Sequence, residues 1–209
     1  MRELIRCKFF RLLVPYYGFE IINLILSVFL SMIFDSVYIE DFCQCLISIF
    51  TCINMESYSG ICLRLWFLPC MFFCDILFYI VRKQFKNNLN ILGIFFAGIL
   101  ISISYLINYF YNKRLPFTLD IVWMATAFMV IGYCYGSVIE NTMKGLNKNL
   151  FVISISVFLV SVLFNEPVYM YMADYGNYLW AVLGSISGSV IFVIILKVIY
   201  NYIEEKKYV

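Results

Sequence analysis

Lys8 and Arg11, three residues apart near the start of the chain, are the first candidates for chemistry, with Arg6 close by. In a helix, residues three apart share a face. A compact cationic group of this kind suits phosphate oxygens, and the planar guanidinium fork can bind them in pairs. The plainer reading is a basic flank that anchors a membrane helix against anionic lipid, and composition alone favours it. Three acids, Glu20, Asp75 and Asp120, interrupt or edge otherwise apolar runs. A carboxylate is costly in lipid, so each should face protein or a wet pocket. Structural pairing is the alternative for Glu20 and Asp75, and exposure at the membrane boundary is the alternative for Asp120.

The residues that are missing narrow the chemistry further. The chain has no histidine, the usual base for activating a hydroxyl near neutral pH. It has no phosphate loop, dinucleotide fingerprint or zinc-protease motif. Its eight cysteines include no CxxC pair and lie mostly in apolar runs, where cysteine behaves as a small hydrophobe. Cys70 and Cys74 share a helix face, but without histidine no metal site is expected. Nothing in the charge pattern points to nucleic acid.

The elements that must hold these residues are membrane helices. Of the 209 residues, 64% are hydrophobic and only 13% are charged. Soluble proteins run at roughly 45–50% apolar and about 25% charged, so the chain belongs in a bilayer. The expected fold is all-α, a polytopic transmembrane bundle of about six spans at residues 12–34, 65–81, 91–111, 118–136, 150–164 and 178–200. Residues 42–53 are apolar but short and read as an interfacial or re-entrant segment. The second span opens with Arg64, Leu65, Trp66 and Phe67, carries Pro69 in its first turn and stops at Arg82 and Lys83. Proline is tolerated there because the first amides of a helix have no intrahelical partner. The last span has a small-residue face at Gly184, Ser185, Ser187, Gly188 and Ser189, suited to close packing. No domain boundary interrupts residues 1–209.

The cations assign the sides. With the N-terminus inside, Arg2, Arg6, Lys8, Arg11, Arg82, Lys83, Lys86, Lys144, Lys148, Lys206 and Lys207 fall in cytoplasmic segments. Arg64, Lys113 and Arg114 fall outside. That bias predicts a multi-pass protein of the plasma (inner) membrane with both termini in the cytoplasm. It also supports the short fifth span, since omitting that span would put the later loops on the wrong sides.

Three pieces of sequence resemble the acyltransferase-3 family of integral-membrane acyltransferases. Lys8-x-x-Arg11-Leu-Leu-Val-Pro15-Tyr16 is similar to its basic-x-x-Arg element at the edge of a span. Leu65-Trp66-Phe67-Leu68-Pro69 is similar to its Trp-Phe-Leu element. Residues 115–120, followed by Phe128 to Tyr133, resemble a later element ending in a Gly-Tyr pair; Asn177 and the span after it also fit. The resemblance implies transfer of an acyl group, acetyl in the first instance, from acyl-coenzyme A to a sugar hydroxyl of a surface polysaccharide or its precursor. It implies acetyl-coenzyme A as a donor rather than a resident cofactor, and the bilayer and a free or lipid-linked glycan as partners. Lys8 and Arg11, with Arg6, then become contacts for the donor's phosphates, and Trp66, Asp75, Glu20 and Asp120 become pocket candidates.

The family's histidine-bearing first helix has no counterpart here, and its last helices would follow Val209. The expectation is therefore a central portion that needs further segments or a partner chain and transfers nothing alone. A small transporter or flippase for a lipid-linked sugar, with Asp75 and Glu20 lining its path, and a non-catalytic membrane partner are the competing readings.

Overall fold

The computed structural model describes residues 1–33, 42–52, 65–84, 89–111, 114–142 and 148–207. Asp35, Glu40, Asp41, Glu56, Arg64, Lys86, Lys113 and Lys144 lie outside them. The described residues form helices and turns with no strand, apart from an isolated bridge between Tyr169 and Asp174. The helices are α1 (Arg2–Lys8), α2 (Val14–Ile33), α3 (Phe42–Thr51), α4 (Phe67–Gln84), α5 (Leu89–Phe110), α6 (Leu119–Thr142), α7 (Lys148–Phe164) and α8 (Tyr178–Lys207). A π-helical turn, Phe9–Leu13, joins α1 to α2 without a break.

Each expected span has a helix at its position, with one extension. The basic flank of residues 1–11 is itself helical, so the first helix begins at Arg2. Among the described residues, four helical stretches are long and apolar enough to cross a membrane on their own: Arg2–Leu30, Leu92–Phe110, Pro116–Gly136 and Tyr178–Glu204. The other two expected spans do not qualify unaided. In α4 the apolar run carries Asp75, Arg82 and Lys83, and α7 is only 17 residues long. Side chains such as Ile22, Ile25, Phe29, Phe95, Leu163, Phe192 and Ile203 are exposed along these helices. A water-soluble surface rarely carries so much contiguous apolar area, whereas lipid covers it.

The chain divides into two compact units, Met1–Ile131 and Gly132–Val209. In the first unit, α3 folds back along α2. Leu24 and Ile49 pack together with Tyr17 and Leu46, and the Tyr16 hydroxyl donates to the Ile49 carbonyl at 3.3 Å. At ten residues α3 is about 15 Å long, half a hydrocarbon core. Helix α6 supplies the most buried side chains, Ile121, Val122 and Met124. Helix α4 meets it through the Cys74 thiol, which donates to the Val122 carbonyl at 3.6 Å.

The second unit contains an antiparallel hairpin of α7 and α8. Its close approach comes from the small-residue face read in the sequence. A Cβ at Gly184 would lie 3.1 Å from the Ser161 Cβ, and one at Gly188 would lie 3.2 Å from the Phe158 ring. Ser187 is buried beside them, while Ser185 and Ser189 are exposed and hydrogen-bond their own helix. Adding bulk at this contact forces the helices apart. Gly184→Val is expected to destabilise the protein by about 1–3 kcal/mol, with part of the loss recovered by Ser161→Gly in the same chain. Thermal unfolding of the solubilised protein measures both, and an unchanged midpoint for Gly184→Val would rule out close packing at this point.

Candidate functional site

The cationic segment is shaped by a proline. Pro15 has no amide hydrogen, and its ring crowds the carbonyl four residues back, that of Arg11. The chain widens just before it: the Val14 amide bonds the Phe9 carbonyl, five residues back, and Phe9–Leu13 takes π-helical form. A wider turn rotates each residue less about the axis, so residues three apart move away from a shared face. Lys8 is half-buried, and its Nζ lies 2.6 Å from Asp75 Oδ2. Arg11 and Arg6 are exposed. The π turn packs on α4, the helix that carries Asp75.

Two sequence-predicted site residues, Lys8 and Asp75, are thus brought together as an ion pair. Their side chains are 36% and 16% exposed, so the pair is partly shielded from water. Asp75 lies seven residues before Arg82, about 10 Å along the helix axis. Lys8 supplies a cation at a level of α4 where the rest of the helix is apolar.

Asp120 is not exposed at a boundary. It is 2% accessible, and its Oδ2 lies 2.9 Å from Arg114 Nε. Its Oδ1 is buried with no hydrogen-bond partner among the described residues. The connection between the two is tight: Leu115 is extended ahead of Pro116, and Phe117 and Thr118 take left-handed backbone angles. This turn delivers Arg114 back onto the first turn of α6, where a carboxylate also faces the positive end of the helix dipole. Phe117 packs on Phe73 of α4, with ring centres 5.9 Å apart.

Glu20 and Trp66 join neither pair. Glu20 lies twelve residues beyond Lys8, roughly 18 Å along the helix, near Tyr16, Asn23 and Cys52. Trp66 precedes α4 at the end opposite Arg82, and its carbonyl accepts the Cys70 amide at 3.4 Å. Pro69 sits in the first turn of α4, as expected. The sulfurs of Cys70 and Cys74 are 3.9 Å apart on one helix face. No group of three or more potential metal ligands occurs among the described residues. Arg114 escaped the sequence reading as a site residue. Its signal was a cation six residues before an acid, across a proline turn.

A membrane protein, helical throughout its described residues, with paired charges partly shielded from water and exposed arginines near its N-terminus is the class that this geometry defines. The sequence model of the acyltransferase-3 family, described as an acyltransferase domain, matches residues 1–208, and the chain belongs to that family. No curated protein matches the chain. No solved structure matches it either.

The Lys8–Asp75 contact can be weighed by mutation. Exposed ion pairs contribute at most about 1 kcal/mol, and breaking a fully buried pair costs about 3–5 kcal/mol. For this half-shielded pair, Lys8→Met or Asp75→Asn is expected to cost about 1–3 kcal/mol. The exchanged pair, Lys8→Asp with Asp75→Lys, should recover a good part of it. A double-mutant cycle on unfolding midpoints reads the coupling. Zero coupling would show that the two residues do not hold the helices together.

Proposed function

We propose that this chain is the donor-binding part of a membrane acyltransferase. It takes acyl-coenzyme A, acetyl-coenzyme A in the first instance, at its cytoplasmic face and serves transfer to a sugar hydroxyl of a surface polysaccharide or its precursor. The observation that carries this reading is the family match over residues 1–208, which includes the basic element. Within that element the roles divide. Arg11 and Arg6 are exposed and free to face a ligand's phosphates. Lys8, held by Asp75, fixes the segment that presents them. The base that accepts the proton of the sugar hydroxyl comes from another segment or a partner chain, since this chain has no histidine.

The reading includes six spans with both termini in the cytoplasm. Helix α7 packs antiparallel along α8, which is long and apolar enough to span, so the two cross together. In α4 the cost of Asp75 is reduced by Lys8, and Arg82 and Lys83 sit in the last turn. The topology is tested in chains carrying a single cysteine. A membrane-impermeant maleimide added outside intact cells should label Asp174→Cys, on the exposed α7–α8 turn, and should not label the native Cys7, which is exposed near the N-terminus. Labelling of Cys7 from outside would invert the assignment.

Donor binding is tested by titrating coenzyme A into the solubilised protein. Hydrogen bonds to charged groups contribute roughly 1.5–3 kcal/mol each, so Arg11→Ala should weaken binding by about ten- to a hundred-fold. Arg11→Lys should recover only part, because lysine keeps the charge and loses the fork. Equal affinity in all three proteins would reduce the element to a basic membrane flank.

A further inference from the structure

The α7–α8 hairpin closes on a cleft of about 390 Å³ that the donor site does not use. Its wall includes Trp180, Glu166, Asn165, Ser161, Ser185 and Gly184. All of these lie within the second unit. The turn that forms one side is tied down by its own hydrogen bonds. Asn165 Oδ1 accepts the Asn177 amide at 2.8 Å, and Asn165 Nδ2 donates to the Tyr175 carbonyl at 3.3 Å. Tyr169 and Asp174 exchange backbone bonds at 2.8 and 3.2 Å. Gly176, at φ +57°, leaves no room for a side chain, since a Cβ there would lie 2.9 Å from Asn165 Oδ1. Asn177 then caps α8 by accepting the Leu179 amide at 3.0 Å. A wall held in this way loses little freedom when a ligand binds.

The chemistry of the wall selects the ligand. The Trp180 ring is braced by Phe164, which stacks on it at 5.8 Å and 22°. Ser185, exposed on α8, donates its hydroxyl hydrogen to the Ala181 carbonyl, which leaves its oxygen as an acceptor. Glu166 adds an exposed carboxylate at the rim. The cleft therefore offers a flat aromatic surface and several acceptors. It fits a ring with an apolar C–H face and a rim of hydroxyl donors. The turn at residues 165–177 holds Glu166 and Asp174 and no lysine or arginine, so a phosphate or an anionic headgroup is repelled. The volume falls within the range of small-ligand sites.

We propose that this cleft binds an uncharged sugar ring of the acceptor glycan, with Trp180 against the ring face and Glu166 accepting its hydroxyls. That the ring belongs to an acceptor rests on the transferase reading; the binding itself does not. The cation distribution assigns this turn to the exterior, the side on which a surface glycan is met.

The test is saturation-transfer NMR on the full chain in lipid nanodiscs, with no acyl-coenzyme A present. Methyl β-glucoside and methyl N-acetyl-β-glucosaminide are the probes, and glycerol phosphate is the charged comparison. Transfer to the ring C–H protons of at least one glycoside is expected, with none to glycerol phosphate. Glu166→Gln, at an exposed position, should weaken the glycoside about ten-fold. Trp180→Leu should abolish transfer, Trp180→Phe should keep part of it, and Phe192→Leu, on an exposed face of α8, should change nothing. The proposal falls if no glycoside responds, if glycerol phosphate responds equally, or if Glu166→Gln and Trp180→Leu leave the signal intact. Equal coenzyme A affinity in the wild type, Arg11→Lys and Arg11→Ala would overturn the donor reading without touching this result, and a silent cleft would leave the donor reading in place.

Discussion

A carboxylate in the apolar part of a helix must be neutralised, and in this chain Asp75 sets that requirement. Water cannot do it at low cost in hydrocarbon, so a cation has to come from protein. Lys8 supplies it, at 2.6 Å. The pair ties the first helix to α4 at a defined register and commits one of the chain's cationic residues to structure. Arg114 does the same for the more deeply buried Asp120, at 2.9 Å. In a bilayer the non-directional pull between apolar faces is weak, because lipid tails serve as well as leucine. Ion pairs and small-residue contacts then decide which helix sits against which.

The allocation of cations follows from the backbone. A regular α-helix through Pro15 would lose the bond to the Arg11 carbonyl and crowd it. The π turn at Phe9–Leu13 accommodates this and changes the angular relation between Lys8 and Arg11. One basic residue is turned to Asp75 while the other is exposed. The proline of the motif thereby helps to determine which cation is structural and which remains available to a ligand.

Helix positions were legible in the sequence because long apolar runs bounded by charges leave few alternatives. The small-residue face of α8 was legible for a similar reason: glycines three to four apart predict close approach, and Gly184 and Gly188 make it. Other features were not legible. The basic flank of residues 1–11 falls outside the first span by its charge, yet it continues the helix. Asp120 sits one residue inside its helix, where exposure and burial look alike in sequence; the turn through Pro116 and the return of Arg114 decide it. Trp180 fits an interfacial belt by position, and only the folded turn from Asn165 to Asn177 brings Glu166 to it. Contacts made by a local chain reversal leave no periodic trace, whereas contacts along a helix face do.

The same pairing bears on what chemistry this chain can contribute. Acyl transfer to a hydroxyl requires a group that accepts a proton, and in a chain without histidine the acids within spans are among the candidates. Asp75 and Asp120 are each bound to a cation and serve as structural partners. Glu20 lies roughly 18 Å from Lys8 along its helix, beyond hydrogen-bonding reach of the basic side chains themselves. Asp75 joins the first helix to α4, Asp120 holds the turn that carries Arg114, and the exposed arginines are left to meet charge from outside. That arrangement leaves the exposed arginines as the groups of this element suited to bind and orient an anionic ligand.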